Sequence, residues 1–286
     1  MKKVLVTGAT GFIGNYVIRN LLQLDNLEII ATSRSIEKAS SFEWFSKIKY
    51  IPTDLSEKKD NWFEFFQKPN LMIHLAWEDL PNYKELFHIE KNLWNNYTFL
   101  SNMIKNGLSD LTIAGTCFEY GLQNGCLSEE MEAKPCIPYA LAKDCLRKFL
   151  EELQKKNHFS LKWNRLFYMY GDGQSKSSIL SQLELAVKNG DRVFNMSGGE
   201  QLRDYLHIEK ISDNLVKIAL QNKVTGIINN CSGKPISIRR LVEQYIQEKG
   251  YLIKLNLGYY PYPDYEPMSF WGDNLKLLKK DGSLEF

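Results

Sequence analysis

Short apolar runs alternate with longer helical patterns along the first half of this chain, and this alternation most constrains its fold. The apolar runs, which are typical of buried strands, lie at 4–6, 28–31, 48–51, 71–75 and 111–114. Between them apolar residues recur every three or four positions, as at 11–24 and 82–106, so these segments predict helices. Strands that alternate with helices predict an α/β fold with a doubly wound parallel sheet, the Rossmann architecture.

The pattern changes in the second half of the chain. Residues 1–164 are expected to form the Rossmann domain, and a return segment near 204–230 could add one more strand to its sheet. Beyond 164 turn signals become frequent, and 259–267 is rich in proline and tyrosine. Residues 165–286 are therefore expected to form mainly a smaller C-terminal lobe. Because ligands of doubly wound folds bind outside the carboxyl ends of the strands, this lobe is the expected substrate-binding part.

The composition excludes several classes of protein. The 286 residues carry 36 basic and 34 acidic side chains, a net charge of +2, and the basic residues are scattered rather than clustered. This balance favours neither a nucleic-acid nor a membrane partner. The five cysteines include no C-x-x-C pair, so neither a disulfide framework nor a metal site is expected. No run approaches the ~18 apolar residues of a membrane span, and we expect a cytoplasmic protein.

A glycine-rich turn follows the first strand. Residues 8–14 read Gly-Ala-Thr-Gly-Phe-Ile-Gly, one residue wider at the first step than the G-x-G-x-x-G fingerprint. Glycines in such a turn let a pyrophosphate approach the backbone, and the helix that follows presents unpaired N–H groups to it. The turn therefore predicts a dinucleotide site. The candidate cofactor-binding residues in it are Gly8, Thr10, Gly11, Phe12, Ile13 and Gly14.

The end of the second strand indicates which dinucleotide binds. In this fold an acidic residue about 20 residues beyond the glycines contacts the ribose 2′-hydroxyl of NAD. Here the strand runs into Thr-Ser-Arg-Ser without a carboxylate, and Ser33 and Arg34 suit a 2′-phosphate, so NADP (as NADPH) is predicted rather than NAD. Asp54 and Leu55, after the third strand, are placed to reach the adenine edge, although Asp54 could equally cap the next helix.

Two Tyr-x-x-x-Lys pairs, Tyr139 with Lys143 and Tyr245 with Lys249, each place a phenol and an ammonium on one helix face. A nearby cation lowers the pKa of a phenol, as a general acid or base requires. Only the first pair follows a strand of the sheet, and the second is interpreted as an exposed pair on a C-terminal helix. Thr116 ends that strand, so phenol, ammonium and hydroxyl share one edge and form a carbonyl-handling constellation.

Taken together, these motifs resemble the extended short-chain dehydrogenase/reductases, the NAD-dependent epimerase/dehydratase superfamily that acts on nucleotide sugars, over essentially the whole chain. The matching stretches are 7–14, His74-Leu75-Ala76, Thr116 with Tyr120-Gly121, 139–143 and 203–208. The resemblance implies that Tyr139 is the acid/base and that Lys143 contacts the nicotinamide ribose. It also implies that Thr116 hydrogen-bonds the reacting oxygen.

The resemblance implies further roles that spacing alone does not mark. Leu75 and Ala76 would contact the dinucleotide. Arg203 would hold the diphosphate of a sugar nucleotide. Trp77 and Tyr168 would line the substrate site, although Tyr168 stands where the family often has an asparagine. A homodimer paired through the long central helices is another expectation from the family.

Departures from the family patterns discriminate among its reactions. A 4,6-dehydratase carries Asp-Glu after the active-site threonine, whereas this chain has Cys117-Phe118. The fucose-synthase type needs a cysteine where Phe118 stands and a histidine after the later Tyr170-Gly171, where none follows. Neither reaction is expected. The tail at 258–267 resembles that of bacterial dTDP-4-keto-6-deoxyhexose 4-reductases, which become the nearest relatives expected for this chain.

The sequence therefore favours NADPH-dependent reduction of the 4-keto group of a nucleotide-linked 6-deoxyhexose, in deoxysugar and surface-polysaccharide (O-antigen) biosynthesis. Two alternatives stay open. A nucleotide-sugar 4-epimerase with tightly bound NAD needs the same threonine, tyrosine and lysine but consumes no NADPH. A non-catalytic NADP-binding protein has no need of a proton donor, so the set Thr116, Tyr139 and Lys143 argues against it.

Overall fold

The computed structural model describes residues 1–278 of the chain. The strands are β1 (Lys2–Thr7), β2 (Leu27–Thr32), β3 (Lys49–Tyr50), β4 (Leu71–His74), β5 (Asp110–Thr116), β6 (Gly125–Leu127), β7 (Ser160–Leu166), β8 (Tyr168–Tyr170), β9 (Val193–Asn195), β10 (Leu202–His207), β11 (Gly226–Asn230), β12 (Pro235–Ser237), β13 (Lys254–Asn256) and β14 (Phe270–Gly272). The helices are α1 (Phe12–Leu21), α2 (Ile36–Ser40), α3 (Trp62–Phe65), α4 (Leu93–Lys105), α5 (Pro138–Gln154), α6 (Ile179–Lys188), α7 (Ile208–Leu220), α8 (Ile238–Lys249) and α9 (Leu275–Leu278).

A seven-stranded sheet lies at the centre, in the order β11-β7-β5-β4-β1-β2-β3. Every neighbouring pair in it is parallel. From β3 to β5 this is the strand order of dinucleotide-binding folds. The strands β2 and β3 are added on one side of β1 and the strands β4 and β5 on the other, so the strand order reverses between β1 and β4. The predicted doubly wound α/β fold is confirmed. Because β1 lies between β2 and β4, the loops that follow these three strands open side by side at the carboxyl edge.

Helices cover both faces of the sheet, as a parallel sheet requires. On one face α1 packs against α7, and their apolar residues join those of β1, β2 and β4 in one core cluster. On the other face α3, α4 and α5 bury a second cluster, which includes Trp62, Phe99 and Trp163. Within residues 1–278 no helix has the length and hydropathy that crossing a bilayer requires.

A smaller lobe is built from later segments. It contains a three-stranded sheet in the order β12-β10-β8, the pair β13-β9, and helices α6 and α8 around their own apolar cluster. The pair β14-β6 connects the end of the described chain to the segment that follows β5. Residues 279–286 fall outside the described residues.

Two boundaries differ from the sequence expectations. Strand β7 extends past 164 to Leu166, and β11 pairs with it in register, so the return segment supplies the last strand of the sheet. The helix predicted at 82–106 begins only at a π-helical segment, His88–Asn92, that leads into α4. The physical reason lies in α5, whose first-turn N–H groups have no partner within the helix. The carbonyl of Tyr83 accepts the N–H of Tyr139 at 3.1 Å, which holds this segment out of the helix.

Replacing Gly14 by alanine should destabilise the protein by about 1–3 kcal/mol, because the added Cβ would overpack the turn after β1. That Cβ would lie 2.3 Å from the Gly8 carbonyl oxygen and 2.8 Å from the Ala9 carbonyl oxygen. Chemical denaturation measures the change, and Arg19→Ala on the exposed face of the same helix is the control. Equal stability of the two variants would contradict the close approach of Gly14 to the carbonyl oxygens of Gly8 and Ala9.

Candidate active site

A cavity of ≈ 390 Å³ opens at the carboxyl edge of the sheet, beside the turn after β1. The predicted residues that line it are Gly8, Thr10, Gly11, Ser33, Arg34, Asp54, Leu55, Leu75, Ala76 and Trp77. Trp77, which was expected on the substrate side, thus faces the predicted cofactor site. The lining residues that the sequence analysis missed include Lys38, Glu78 and the α4 residues Asn95 and Asn96, and Asn92, which ends the π-helical segment, also lines the cavity. Among residues 1–278 no group of histidine, cysteine and acidic side chains has a metal-binding arrangement.

The turn after β1 fits a dinucleotide phosphate. Gly8 has a φ of +70°, and a Cβ on it would lie 2.8 Å from the backbone nitrogen of Ala76. Gly11 caps α1 without a side-chain hydrogen bond, so the first N–H groups of the helix stay available. Phe12, Ile13 and Gly14 form that first turn and are outside the lining of the cavity. The backbone there can accept an anion that a side chain would exclude.

The far end of the cavity carries basic and hydroxyl groups. The Thr10 hydroxyl donates to the Ser33 hydroxyl at 2.9 Å, which ties the turn after β1 to the loop after β2. An Nη atom of Arg34 donates to a carboxylate oxygen of Glu78 at 2.7 Å. An Asp54 carboxylate oxygen accepts the Ser56 N–H at 2.9 Å, and this hydrogen bond is the main cause that lowers the Asp54 pKa. Asp54 therefore both shapes its loop and faces the cavity.

Thr116, Tyr139 and Lys143 gather where β5 ends and α5 begins, and all three are buried. Lys143 Nζ donates to the Ala114 carbonyl at 2.8 Å and lies 4.0 Å from the Trp77 ring centroid. The Trp77 and Tyr139 rings meet edge to face at 6.0 Å. Trp77 is thus the side chain that connects the cavity to these three groups.

The pKa values at this centre follow from burial. Burial lowers the pKa of Lys143 to about 7, and the Glu119 carboxylate opposes this shift. Burial also raises the pKa of Tyr139 above its ordinary value, whereas the interaction with the Thr116 side chain lowers it. The expected lowering of the tyrosine pKa is therefore wrong for this structure, because desolvation outweighs the favourable contacts. The phenol is kept protonated and can serve as a proton donor.

Glu119 is a buried carboxylate that the sequence analysis missed. It accepts the Thr116 backbone N–H at 2.9 Å, the Trp163 indole N–H at 3.0 Å and the Arg165 Nε–H at 2.8 Å. It also closes a capping box with Thr116 around the short 3-10 turn after β5. The T-x-x-E spacing of a capping box was the signal that could have found it. Glu119 fixes the position of Thr116 and supplies negative charge near Lys143.

A buried chain of polar groups supports Trp77 from behind. The Trp77 indole donates to His88 Nδ1 at 3.1 Å, and His88 Nε2 contacts the Asn82 carbonyl at 3.0 Å. His74 bridges Thr7 at 2.8 Å and Asn96 at 2.7 Å, and burial lowers its pKa to about 3. His74 is therefore neutral at physiological pH and joins β1 to α4.

Arg203 and Tyr168 lie on the lobe side of the site. Arg203 is fully buried, and its guanidinium donates to Glu266 at 2.7 Å and to the Leu202 carbonyl at 2.8 Å. The Tyr168 ring packs edge to face on Phe118 at 6.1 Å. Arg203 was expected to face a diphosphate, and Glu266 is the anion that it contacts here.

The tyrosine-rich stretch closes over this side. The Tyr265 ring packs edge to face on Phe118 at 6.2 Å, and Asp264 accepts a hydrogen bond from Lys84 at 2.8 Å. The Tyr83 ring lies 5.4 Å from that of Tyr139. The Tyr139 ring itself contacts Trp77, Tyr83 and His88, which all come from the segment between β4 and α4.

Comparison with known proteins agrees with this geometry. Residues 4–231 match the sequence profile described as the NAD dependent epimerase/dehydratase family, and the chain belongs to that family. It is 31% identical over 271 residues to dTDP-6-deoxy-L-talose 4-dehydrogenase (NAD(+)) of Aggregatibacter actinomycetemcomitans, covering 94% of this chain and 98% of the relative. It is 25% identical over 256 residues to dTDP-4-dehydro-6-deoxyglucose reductase of Escherichia coli, covering 84% and 79%.

A solved structure shares the fold over the full length. UDP-N-acetylglucosamine 4-epimerase from Methanobrevibacter ruminantium M1, in complex with UDP-N-acetylmuramic acid, superposes with a TM-score of 0.84. The match covers 100% of this chain and 92% of the other at 21% identity. The shared architecture therefore includes both the central sheet and the lobe.

Replacing Lys143 by methionine should stabilise the protein most at low pH. Below pH 7 the lysine is charged in both the folded and unfolded states, so the folded state bears the full cost of burying it. As the pH rises from about 7, the folded-state pKa, to 10.5, the unfolded value, this cost disappears. The free energy of unfolding of Lys143→Met should exceed that of the wild type by on the order of a few kcal/mol at pH 6, and this difference should shrink toward pH 10.

Thermal melts across this pH range check the prediction. Lys155→Met, at the exposed end of the same helix, is the control and should show no such trend. A stability difference between wild type and Lys143→Met that does not vary with pH would contradict a burial-depressed lysine.

Proposed function

We propose that this protein is a nucleotide-sugar oxidoreductase acting at C4, which reduces the 4-keto group of a dTDP-4-keto-6-deoxyhexose with NADPH. The observation that carries the proposal is that Thr116, Tyr139 and Lys143 lie together beside the cavity that the glycine-rich turn after β1 lines. The names of the two relatives support it, since both describe redox chemistry at position 4 of dTDP-linked 6-deoxy sugars.

The chain's own groups would handle the oxygen at C4. When bound, the nicotinamide dinucleotide supplies the hydride for C4. Tyr139, whose phenol is protonated, donates its proton to the C4 oxygen as this oxygen gains charge. The Thr116 hydroxyl holds the same oxygen, and its position is fixed by Glu119. The ammonium of Lys143 compensates the phenolate that forms.

The choice of NADPH rests on the loop after β2. Ser33 and Arg34 line the cavity together with Lys38, and β2 ends without a carboxylate. A cation and hydroxyl groups suit a 2′-phosphate. NAD is the alternative cofactor, because the dTDP-6-deoxy-L-talose relative carries NAD(+) in its name.

We further propose a homodimer in the cytoplasm that pairs through α4 and α5. Trp94 is 52% exposed and packs beside Phe149, and Leu141 is 41% exposed. Apolar side chains on two neighbouring helices are typical of a surface that a partner covers.

Mixing the protein with NADPH and dTDP-4-keto-6-deoxyglucose should cause rapid loss of absorbance at the nicotinamide wavelength. Tyr139→Phe should reduce turnover by about 10²-fold or more while binding NADPH normally, because only the proton donor is lost. Tyr245→Phe, in the other Tyr-x-x-x-Lys pair, is the matched control and should turn over normally.

Other outcomes of this assay discriminate among the alternatives. Conversion of a nucleotide sugar without net NADPH loss would favour a 4-epimerase. Binding of NADPH with no conversion of any sugar nucleotide would favour a non-catalytic binding protein. Full turnover by Tyr139→Phe would exclude this tyrosine from the reaction.

Replacing Arg203 by lysine should raise KM for the sugar nucleotide about tenfold and leave kcat and NADPH binding unchanged. Lysine keeps the charge that Glu266 needs, but it loses the paired N–H donors that suit a diphosphate. Arg239→Lys, which alters an exposed Arg–Glu pair on α8, is the control. Steady-state kinetics give KM and kcat for both variants. An unchanged KM in Arg203→Lys would show that Arg203 does not contact the substrate.

A further inference from the structure

A carboxylate reaches the predicted 2′-phosphate site from an unexpected strand. Glu78 follows β4, whereas Arg34 follows β2, and a carboxylate oxygen of Glu78 lies 2.7 Å from an Nη atom of Arg34. The strand order places β1 between β2 and β4. The ion pair therefore crosses the mouth of the cavity above the phosphate-binding turn, and both residues line that cavity.

Glu78 is held in place by contacts other than Arg34. Its second carboxylate oxygen accepts from Lys91 at 3.1 Å, and its backbone carbonyl accepts from the side-chain amide of Asn92 at 3.0 Å. The Glu78 side chain is 25% exposed, whereas that of Arg34 is 64% exposed. Arg34 is thus the more exposed partner of the pair, and Lys91 leaves Glu78 with a cation when Arg34 pairs elsewhere.

This geometry changes what Arg34 does for the choice of cofactor. A free arginine in this loop would favour the 2′-phosphate of NADPH by direct charge pairing. Here the guanidinium already pairs with a carboxylate, so a 2′-phosphate must either displace Glu78 or share Arg34 with it.

We infer that Glu78 is a specificity-determining residue, whose carboxylate competes with the 2′-phosphate of NADPH for Arg34 and so keeps NADH usable. The inference rests on the dinucleotide part of the proposed function and is independent of the sugar substrate. It explains how this chain can have a basic loop after β2 while the name of a relative specifies NAD(+). When Arg34 pairs with a phosphate, Lys91 still neutralises the Glu78 carboxylate. The free-energy cost of separating Arg34 from Glu78 is therefore low.

The test measures cofactor binding by the full chain without any sugar. Dissociation constants for NADPH and NADH are obtained from nicotinamide fluorescence for wild type, Glu78→Gln, Arg34→Ala and the double variant. Because an exposed ion pair shifts an equilibrium by up to about fivefold, Glu78→Gln should raise the preference for NADPH over NADH by about this factor. Arg34→Ala should lower the preference, and in that background Glu78→Gln should have little effect, because the guanidinium for which Glu78 competes with the 2′-phosphate is gone.

Two controls strengthen the interpretation. Glu64 lies on α3 and forms an exposed ion pair with Lys68. Glu64→Gln neutralises it and should leave the preference for NADPH over NADH unchanged. Glu78→Asp keeps the charge but shortens its reach, so it should raise the preference less than Glu78→Gln does.

Each outcome either supports or overturns the inference. An unchanged preference in Glu78→Gln would overturn it, and so would an equal shift of the preference in the Arg34→Ala background. Failure of the wild type to bind either dinucleotide would contradict the proposed function as well. Normal binding with an unmoved preference would contradict the role of Glu78 alone.

Discussion

Parallel strands cannot be joined by tight turns, so each strand of the central sheet is followed by a connection that crosses back over one face. All the carboxyl ends consequently share one edge, and the loops there carry the groups of the site. The turn after β1, the Arg34 loop after β2, Glu78 after β4 and Thr116 at the end of β5 meet for this reason. Tyr139 joins them because α5 starts at the same edge, where its N–H is capped by Tyr83. The parallel arrangement is thus the constraint from which both the cavity and the position of the Tyr139 phenol follow.

Buried charge is handled in the same way throughout the site: each ion has a partner or a hydrogen bond. Glu119 accepts three donors and lies between the polar end of β5 and Arg165 on β7. Lys143 donates to a backbone carbonyl and lies over an indole ring, and burial still lowers its pKa to about 7. Removing a partner from a buried ion costs more than the pair contributes, so these contacts also fix one arrangement of the site. The groups around the phenol are therefore buried and hydrogen-bonded, whereas Arg34 is exposed.

Much of the fold and part of the site followed from local sequence patterns. Apolar periodicity marked the strands and helices, the glycine spacing marked the turn after β1, and position along the sheet separated Tyr139 from the similar Tyr245. The T-x-x-E spacing would also have marked Glu119. One expectation changed with the structure: the Tyr139 pKa is raised by burial rather than lowered by its lysine neighbour. The structure also shows that Arg203 is buried against Glu266, a contact that no local pattern marks.

The sequence by itself determined the alternation of strands and helices, the glycine-rich turn after β1 and the Tyr139–Lys143 spacing, because each depends on residues within one or two turns of chain. The tertiary structure decided which charges meet. Arg34 and Glu78 are 44 residues apart, and Arg203 and Glu266 are 63 apart, so no local pattern links either pair. It also decided how deeply Lys143 and Tyr139 are buried, and therefore the direction of their pKa shifts. Desolvation and long-range pairing depend on the whole packed chain, whereas periodicity and turn chemistry depend on neighbours in sequence.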